Sequence, residues 1–310
     1  MLSRVAQRIF WMSRYLERAE LTAKIVNTFC QMRMDLPKGS ELPWRTLPDI
    51  FGSLNQLEKR KGNVTEYRVV ELLVNRIGNP SSLKFCISSA RENARMTRHL
   101  LPEDMWELIN ELNIYVREQA DKSLSRRNRF EFLTEINKQC QTLNGLVMST
   151  QPRDDVYTFI TFGHLLERVD VTSRVIGKMS TAIEAREENN PAFDSLIWSS
   201  LLESLSILNA YRQIAGPLVE PEGALELVVL NPESPRSIVF CLSAMRQLAS
   251  NLRSNNRLLS NIDRLLGDLS SFAVSDLEKA EIASFFEVLQ TKTDRLYNLL
   301  SDTWFVPEKS

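Results

Sequence analysis

Histidine is nearly missing from this chain of 310 residues, and the two it has, His99 and His164, stand far apart. That excludes a multi-histidine metal site or a pair of histidine-based triads. With no nucleophile signature beside either one, a single Ser/His/Asp set is not expected. Cysteine is scarce as well. Cys30, Cys86, Cys140 and Cys241 form no CxxC pair and read as reduced core residues. The ten glycines build neither GxxxxGK[ST] nor GxGxxG, so no familiar phosphate-cradling loop is present. No apolar run reaches the roughly 18 residues that a membrane helix needs. Neither sign of charge is in excess: the net charge is −1, which argues against nucleic acid as a partner. The opening Met1-Leu2-Ser3-Arg4-Val5 enters an amphipathic pattern without the continuous apolar stretch of a signal peptide, so the expected compartment is the cytoplasm.

Alternating β-branched runs are also few, and the helical period dominates. Val5, Ile9, Met12, Leu16, Ala19, Ala23, Val26 and Cys30 follow three/four spacing and predict a first helix over about 2–34, closed by Pro37, Gly39 and Pro43. Further helices are predicted over about 45–59, 64–77, 81–100, 103–121 and 127–149, then 154–188, 194–213, 222–230, 236–253, 256–272 and 276–303. Pro102-Glu103-Asp104 and Ser275-Asp276 are good helix starts, while Asn79-Pro80 and Asn231-Pro232 are breaks. Leu225–Leu230 is the one segment that could be a strand. Its counterpart Val69–Val74 reads as helix, so both are taken as helical.

That counterpart exists because the chain repeats itself. Leu16-Glu17-Arg18-Ala19-Glu20-Leu21-Thr22-Ala23-Lys24-Ile25 returns as Leu166-Glu167-Arg168-Val169-Asp170-Val171-Thr172-Ser173-Arg174-Val175. Trp44 with Leu47 matches Trp198 with Leu201, and Val70–Val74 matches Leu225–Val229. Asn79-Pro80 precedes Phe85-Cys86, Ser88 and Arg91 as Asn231-Pro232 precedes Phe240-Cys241, Ser243 and Arg246. The expected fold is therefore all-α, a multi-helix bundle of two pseudo-symmetric tandem halves, 1–152 and 153–310, with about six helices each.

The repeated segment keeps charges inside a largely apolar helix, and keeping them is costly. On a helical wheel Glu17, Glu20 and Lys24 share one narrow sector, as do Glu167, Asp170 and Arg174. In each, the second acid precedes the base at i,i+4, the favourable order. Arg18 stacks one turn beyond Arg14, and Arg168 one turn beyond His164. Such a cationic edge needs acids from other helices or an anionic ligand. Three readings follow. The charges can form an ion-pair network that fixes helix register. Arg14, Arg18, His164 and Arg168 can hold a phosphate or carboxylate, or a partner. The carboxylates of Glu17, Glu20, Glu167 and Asp170 can gather a divalent metal, although Glu-x-x-His is absent and Lys24 and Arg174 would already neutralise them. Trp11, Tyr15 and Trp44 read as packing rather than a stacking platform. Arg91 and Arg95 read as solvated surface, the Phe-Cys pairs read as core, and Arg236 opens a helix facing a partner or water.

These residues carry a resemblance. Met-Leu-Ser-Arg-Val-Ala-x-Arg with Trp11, then Arg14-Tyr15-Leu16-Glu17-Arg18-Ala19-Glu20, is similar to the alpha-E family, a bacterial all-helical domain named for its Glu-Arg motif. The similarity continues through Ala90–Arg95, Met105-Trp106-Glu107 with Asn110, Leu165–Thr172, Asn231-Pro232 and Pro235-Arg236-Ser237. His164 departs from the pattern, which has an apolar or Arg-type residue there. The resemblance implies neighbours: a circularly permuted ATP-grasp protein, a transglutaminase-like protein and sometimes a proteasome-like peptidase. It therefore implies an accessory or scaffold role in an amide- or peptide-forming ligase system for peptide modification. No resident cofactor is expected. The rival is an enzyme that uses the paired carboxylates for acid/base or metal-assisted chemistry.

Overall fold

The computed structural model describes residues 2–59, 62–186, 190–271 and 279–305. Among these residues there are fourteen α-helices and no strand. In chain order they are α1 (Ser3–Asp35), α2 (Thr46–Ile50), α3 (Leu54–Glu58), α4 (Glu66–Val74), α5 (Leu83–Thr97), α6 (Glu103–Gln119) and α7 (Arg126–Thr150). There follow α8 (Asp155–Glu184), α9 (Pro191–Ser204), α10 (Leu208–Ala215), α11 (Pro221–Leu225), α12 (Ile238–Ala249), α13 (Asn256–Ser270) and α14 (Lys279–Leu300). Among the described residues no helix is long and apolar enough to cross a membrane. The helix start read at Ser275-Asp276 lies outside the described residues.

Local chemistry accounts for several boundaries. Asp154, Ser82 and Ser237 cap α8, α5 and α12, their side-chain oxygens accepting from the backbone N–H of Tyr157, Phe85 and Phe240. Pro102 precedes α6, whose first turn carries Glu103 and Asp104. Two predicted helices are broken in the structure. The segment 45–59 splits into α2 and α3 at Gly52, which adopts φ +62°, and 194–213 splits into α9 and α10 at Ser206, φ +63°. One left-handed residue is enough to turn the chain without disturbing the apolar spacing on either side. The segment considered as a strand is helical: α11 widens into a π turn over Glu226–Leu230.

The two long helices carrying the repeat, α1 and α8, form the axis of the bundle. α1 packs against α5, α7 and α9, with α6 bridging α5 and α7; α8 packs against α12 and α14, with α13 bridging those two. α1 and α8 run side by side in the same direction. Phe10–Arg14 lie against Gly163, Arg18 meets Glu167, and Ile25, Thr28 and Phe29 line one small cavity with Val175 and Met179. Both helices are apolar on two sides because each is enclosed on both. At the crossing, a Cβ on Gly163 would stand 2.3 Å from the Phe10 carbonyl oxygen and 3.1 Å from Ser13 Cβ. Only glycine allows that approach, and the paired charges lie one turn beyond it.

A reciprocal clasp of buried glutamates and arginines

One turn past the crossing, each helix supplies the counter-ion of the other. Glu167 on α8 is fully buried and accepts from two guanidinium groups of α1. Arg18 binds it in a fork, Nε to Oε1 at 2.5 Å and Nη2 to Oε2 at 3.0 Å. Arg14 adds Nε to Oε2 at 2.7 Å and Nη2 to Oε2 at 2.6 Å. In the reverse sense, Arg168 on α8 donates Nε to Glu17 Oε1 at 2.8 Å, and the Glu17 side chain is also buried. Arg18 reaches the Pro80 carbonyl at 3.4 Å, and Arg168 reaches the Pro235 carbonyl at 2.9 Å. Those carbonyls sit in the loops that open α5 and α12: Pro80 belongs to the Asn79-Pro80 break itself, and Pro235 lies three residues beyond Pro232 of the other. Asn79, which is fully buried, ties its loop to Leu72 and Ser53.

The two sides differ first at the position of Arg14. His164 occupies on α8 the position Arg14 holds on α1. It donates Nδ1–H to Glu17 Oε2 at 2.8 Å, and Arg168 Nη2 donates to its Nε2. A ring that accepts at Nε2 and donates at Nδ1 is neutral, and burial holds its pKa below the ordinary 6.5. The cation missing from the helix comes from the loop instead. Arg236 donates Nη1 to Glu17 Oε1 at 3.2 Å and Nη2 to Glu20 Oε1 at 2.6 Å. The other repeat has Ser81 at the equivalent place before its helix cap. Arg236 therefore turns inward onto Glu17 and Glu20, and it is the clasp residue that its sequence position concealed.

The outer acids also differ. Asp170 accepts from Arg174 at 2.9 Å, as i,i+4 order suggests. Glu20 does not pair with Lys24; Arg236 and Asn144, the latter at 3.0 Å, hold it instead. Lys24 is half-buried and forms no ion pair among the described residues. A tertiary guanidinium at 2.6 Å outcompetes a flexible lysine one turn along the same helix.

Electrostatics agree with the geometry. Burial alone would push Glu167 up, but Arg14 and Arg18 bring its carboxyl down to about 2. Burial acts likewise on Glu17, and Arg168, His164 and Arg236 hold it well below its usual 4.5. Asp170 is raised by burial, which Arg174 only partly offsets. The thiols are unsuited to nucleophilic work, since burial pushes Cys86 up to about 12 and Cys241 to about 11. Among the described residues no three His, Cys, Asp or Glu side chains converge as a metal site would require. Arg91 and Arg95 bracket Glu92 on the surface.

A pH dependence follows. Glu167 has a folded pKa near 2 against 4.5 unfolded, so its stabilisation is complete above 4.5 and is lost as pH falls toward 2. His164 is lowered too, so its contribution is complete above 6.5 and declines as pH falls through its folded value. Asp170, being raised, contributes in the opposite sense, most in acid. Urea midpoints should therefore begin to drop just below pH 6.5, and His164→Asn should flatten that first segment while leaving the deeper acid loss. An unchanged slope in the variant would contradict a neutral His164.

The family model for a predicted alpha-helical domain with a conserved ER motif matches residues 1–305. No curated protein and no solved structure matches the chain. The Glu-Arg pairs at the centre of the clasp are Glu17-Arg18 and Glu167-Arg168.

Proposed function

The chain belongs to the Alpha-E family, and from that premise we propose a non-nucleotide-binding accessory or scaffold subunit of an ATP-grasp-type amide- or peptide-ligase system. Its partners are a circularly permuted ATP-grasp protein and a transglutaminase-like protein, in a bacterial cytoplasm. One observation carries this reading: both Glu-Arg pairs saturate each other inside the bundle. A substrate anion on Arg14, Arg18, His164 or Arg168 would have to displace Glu17 or Glu167 from charge-assisted bonds. The motif thus acts as a clasp that keeps two helices in parallel register, and the chain serves as a rigid body for others to dock on. The recurring order of helices around α1 and around α8 supports a tandem duplication into halves 1–152 and 153–310.

The enzyme reading is weaker on the same ground. A general base working near neutral pH needs a raised carboxylate within reach of a substrate. Glu17 and Glu167 are both held low, and Asp170, which burial raises, is enclosed and tied to Arg174.

Co-expression with the ATP-grasp protein tests the proposal. A stable complex by size exclusion is expected, with faster amide formation than the ligase alone. Absence of both a complex and a rate change would sink the accessory role.

A further inference from the structure

The outer face of α1 carries a second constellation that the clasp does not use. Arg4, Arg8, Trp11 and Tyr15 fall at i, i+4, i+7 and i+11, which on a helix is one stripe within about 60°. With Gln7 of the same helix and Asn93 of α5 they line an open cleft of about 480 Å³. That volume lies within the roughly 300–1,000 Å³ typical of small-molecule sites. Arg4 is exposed and Arg8 half-buried, and neither forms an ion pair among the described residues. The rings of Trp11 and Tyr15 lie 5.2 Å apart, tilted by 34°, and both stay partly accessible.

The clasp stiffens this wall from behind. Arg14 lies 4.9 Å from the Trp11 ring centre and Arg18 lies 6.0 Å from that of Tyr15, while Tyr15 also packs edge-on against Phe85. Both guanidinium groups are themselves fixed by Glu167. Preset aromatic faces lose little entropy on binding, and two uncompensated forks four residues apart favour an anion that offers two or more acceptor oxygens.

We propose that this cleft is a binding site for a small anion, a carboxylate or phosphate, attached to a flat ring: Arg4 and Arg8 take the anion, and Trp11 and Tyr15 take the ring. The site stands on its own residues and holds whether or not the chain serves a ligase.

Ligand-observed NMR titrations of the full chain test it with phenyl phosphate, indole-3-acetate, indole and inorganic phosphate. At least one aromatic anion should saturate at millimolar concentration or tighter. Indole and inorganic phosphate should each bind at least about tenfold more weakly, since each lacks one half of the recognition. The double variant Arg4→Ala/Arg8→Ala should lose that tenfold advantage. The exposed pair Arg253→Ala/Arg257→Ala, which removes the same charge elsewhere, should keep it. Should the double variant fail to fold, Arg8→Lys serves: it keeps the charge, loses the fork, and should still weaken the aromatic anion. No saturation by either aromatic anion overturns the site. So does binding that survives loss of both arginines, or that falls equally in the Arg253/Arg257 control.

Discussion

Replacing Glu167 by glutamine is expected to lower the unfolding free energy by about 3–5 kcal/mol, the cost of stranding buried charge. Glutamine keeps the shape, but it puts an amide N–H where a carboxylate oxygen met a guanidinium, and it leaves Arg14 and Arg18 uncompensated. Arg14 would retain only Asp170, whose nearest oxygen is 3.9 Å away. Glu17→Gln should cost visibly less. His164 is neutral, and Arg236 keeps Glu20 at 2.6 Å, so only Arg168 loses its counter-ion. Urea denaturation of the two variants measures the difference. Equal losses, or a Glu167→Gln loss under about 1 kcal/mol as for surface pairs, would contradict the assignment of charges.

The second large effect needs no charge. Gly163→Ala would press a methyl against the Phe10 carbonyl oxygen at 2.3 Å, with Arg14 N at 3.2 Å, and backbone cannot yield as a flexible side chain does. α1 and α8 would have to part, with a cost at or above the top of the about 1–3 kcal/mol range for overpacked cores. The separation would also lengthen the clasp bonds one turn away, so Arg18 and Glu167 should couple less strongly in this background. Gly145→Ala is the matched control. Gly145 is helical and exposed with open space around it, and it should gain about 0.5–1 kcal/mol from helix propensity. If both glycines tolerate alanine alike in thermal melts, the close crossing is not what sets helix spacing.

Much of this was legible in the chain. The Leu16–Ile25 and Leu166–Val175 repeat marks the two axial helices, and two apolar sides on each mean enclosure on both. The repulsive stacking of Arg14 on Arg18 demanded acids from other helices or an anionic ligand, and Glu167 of α8 supplies the acid. What a single strand of text could not supply is which acids. Partner choice depends on α1 and α8 lying parallel, and that register is fixed by Gly163, an unremarked glycine within a helical pattern. Arg236 was hidden because it precedes its helix rather than lying on the repeated one. Its signal was the exchange of Ser81 for Arg236 in aligned loops, together with His164 standing where Arg14 does. Lys24 misled because i,i+4 order is a preference of isolated helices, and a buried acid takes the better donor. The breaks at Gly52 and Ser206 leave apolar spacing intact on both sides, so periodicity runs through them.

The interlock itself is open to one decisive experiment. A double-mutant cycle on unfolding free energy should compare Arg18→Met with Glu167→Gln, and Arg18→Met with the adjacent Glu17→Gln. Coupling of at least about 2 kcal/mol is predicted between Arg18 and Glu167, which lie 149 positions apart, against a value near zero for the neighbours Arg18 and Glu17. Negligible coupling across the helices, or stronger coupling between the sequence neighbours, would mean that the Glu-Arg pairs do not hold α1 to α8.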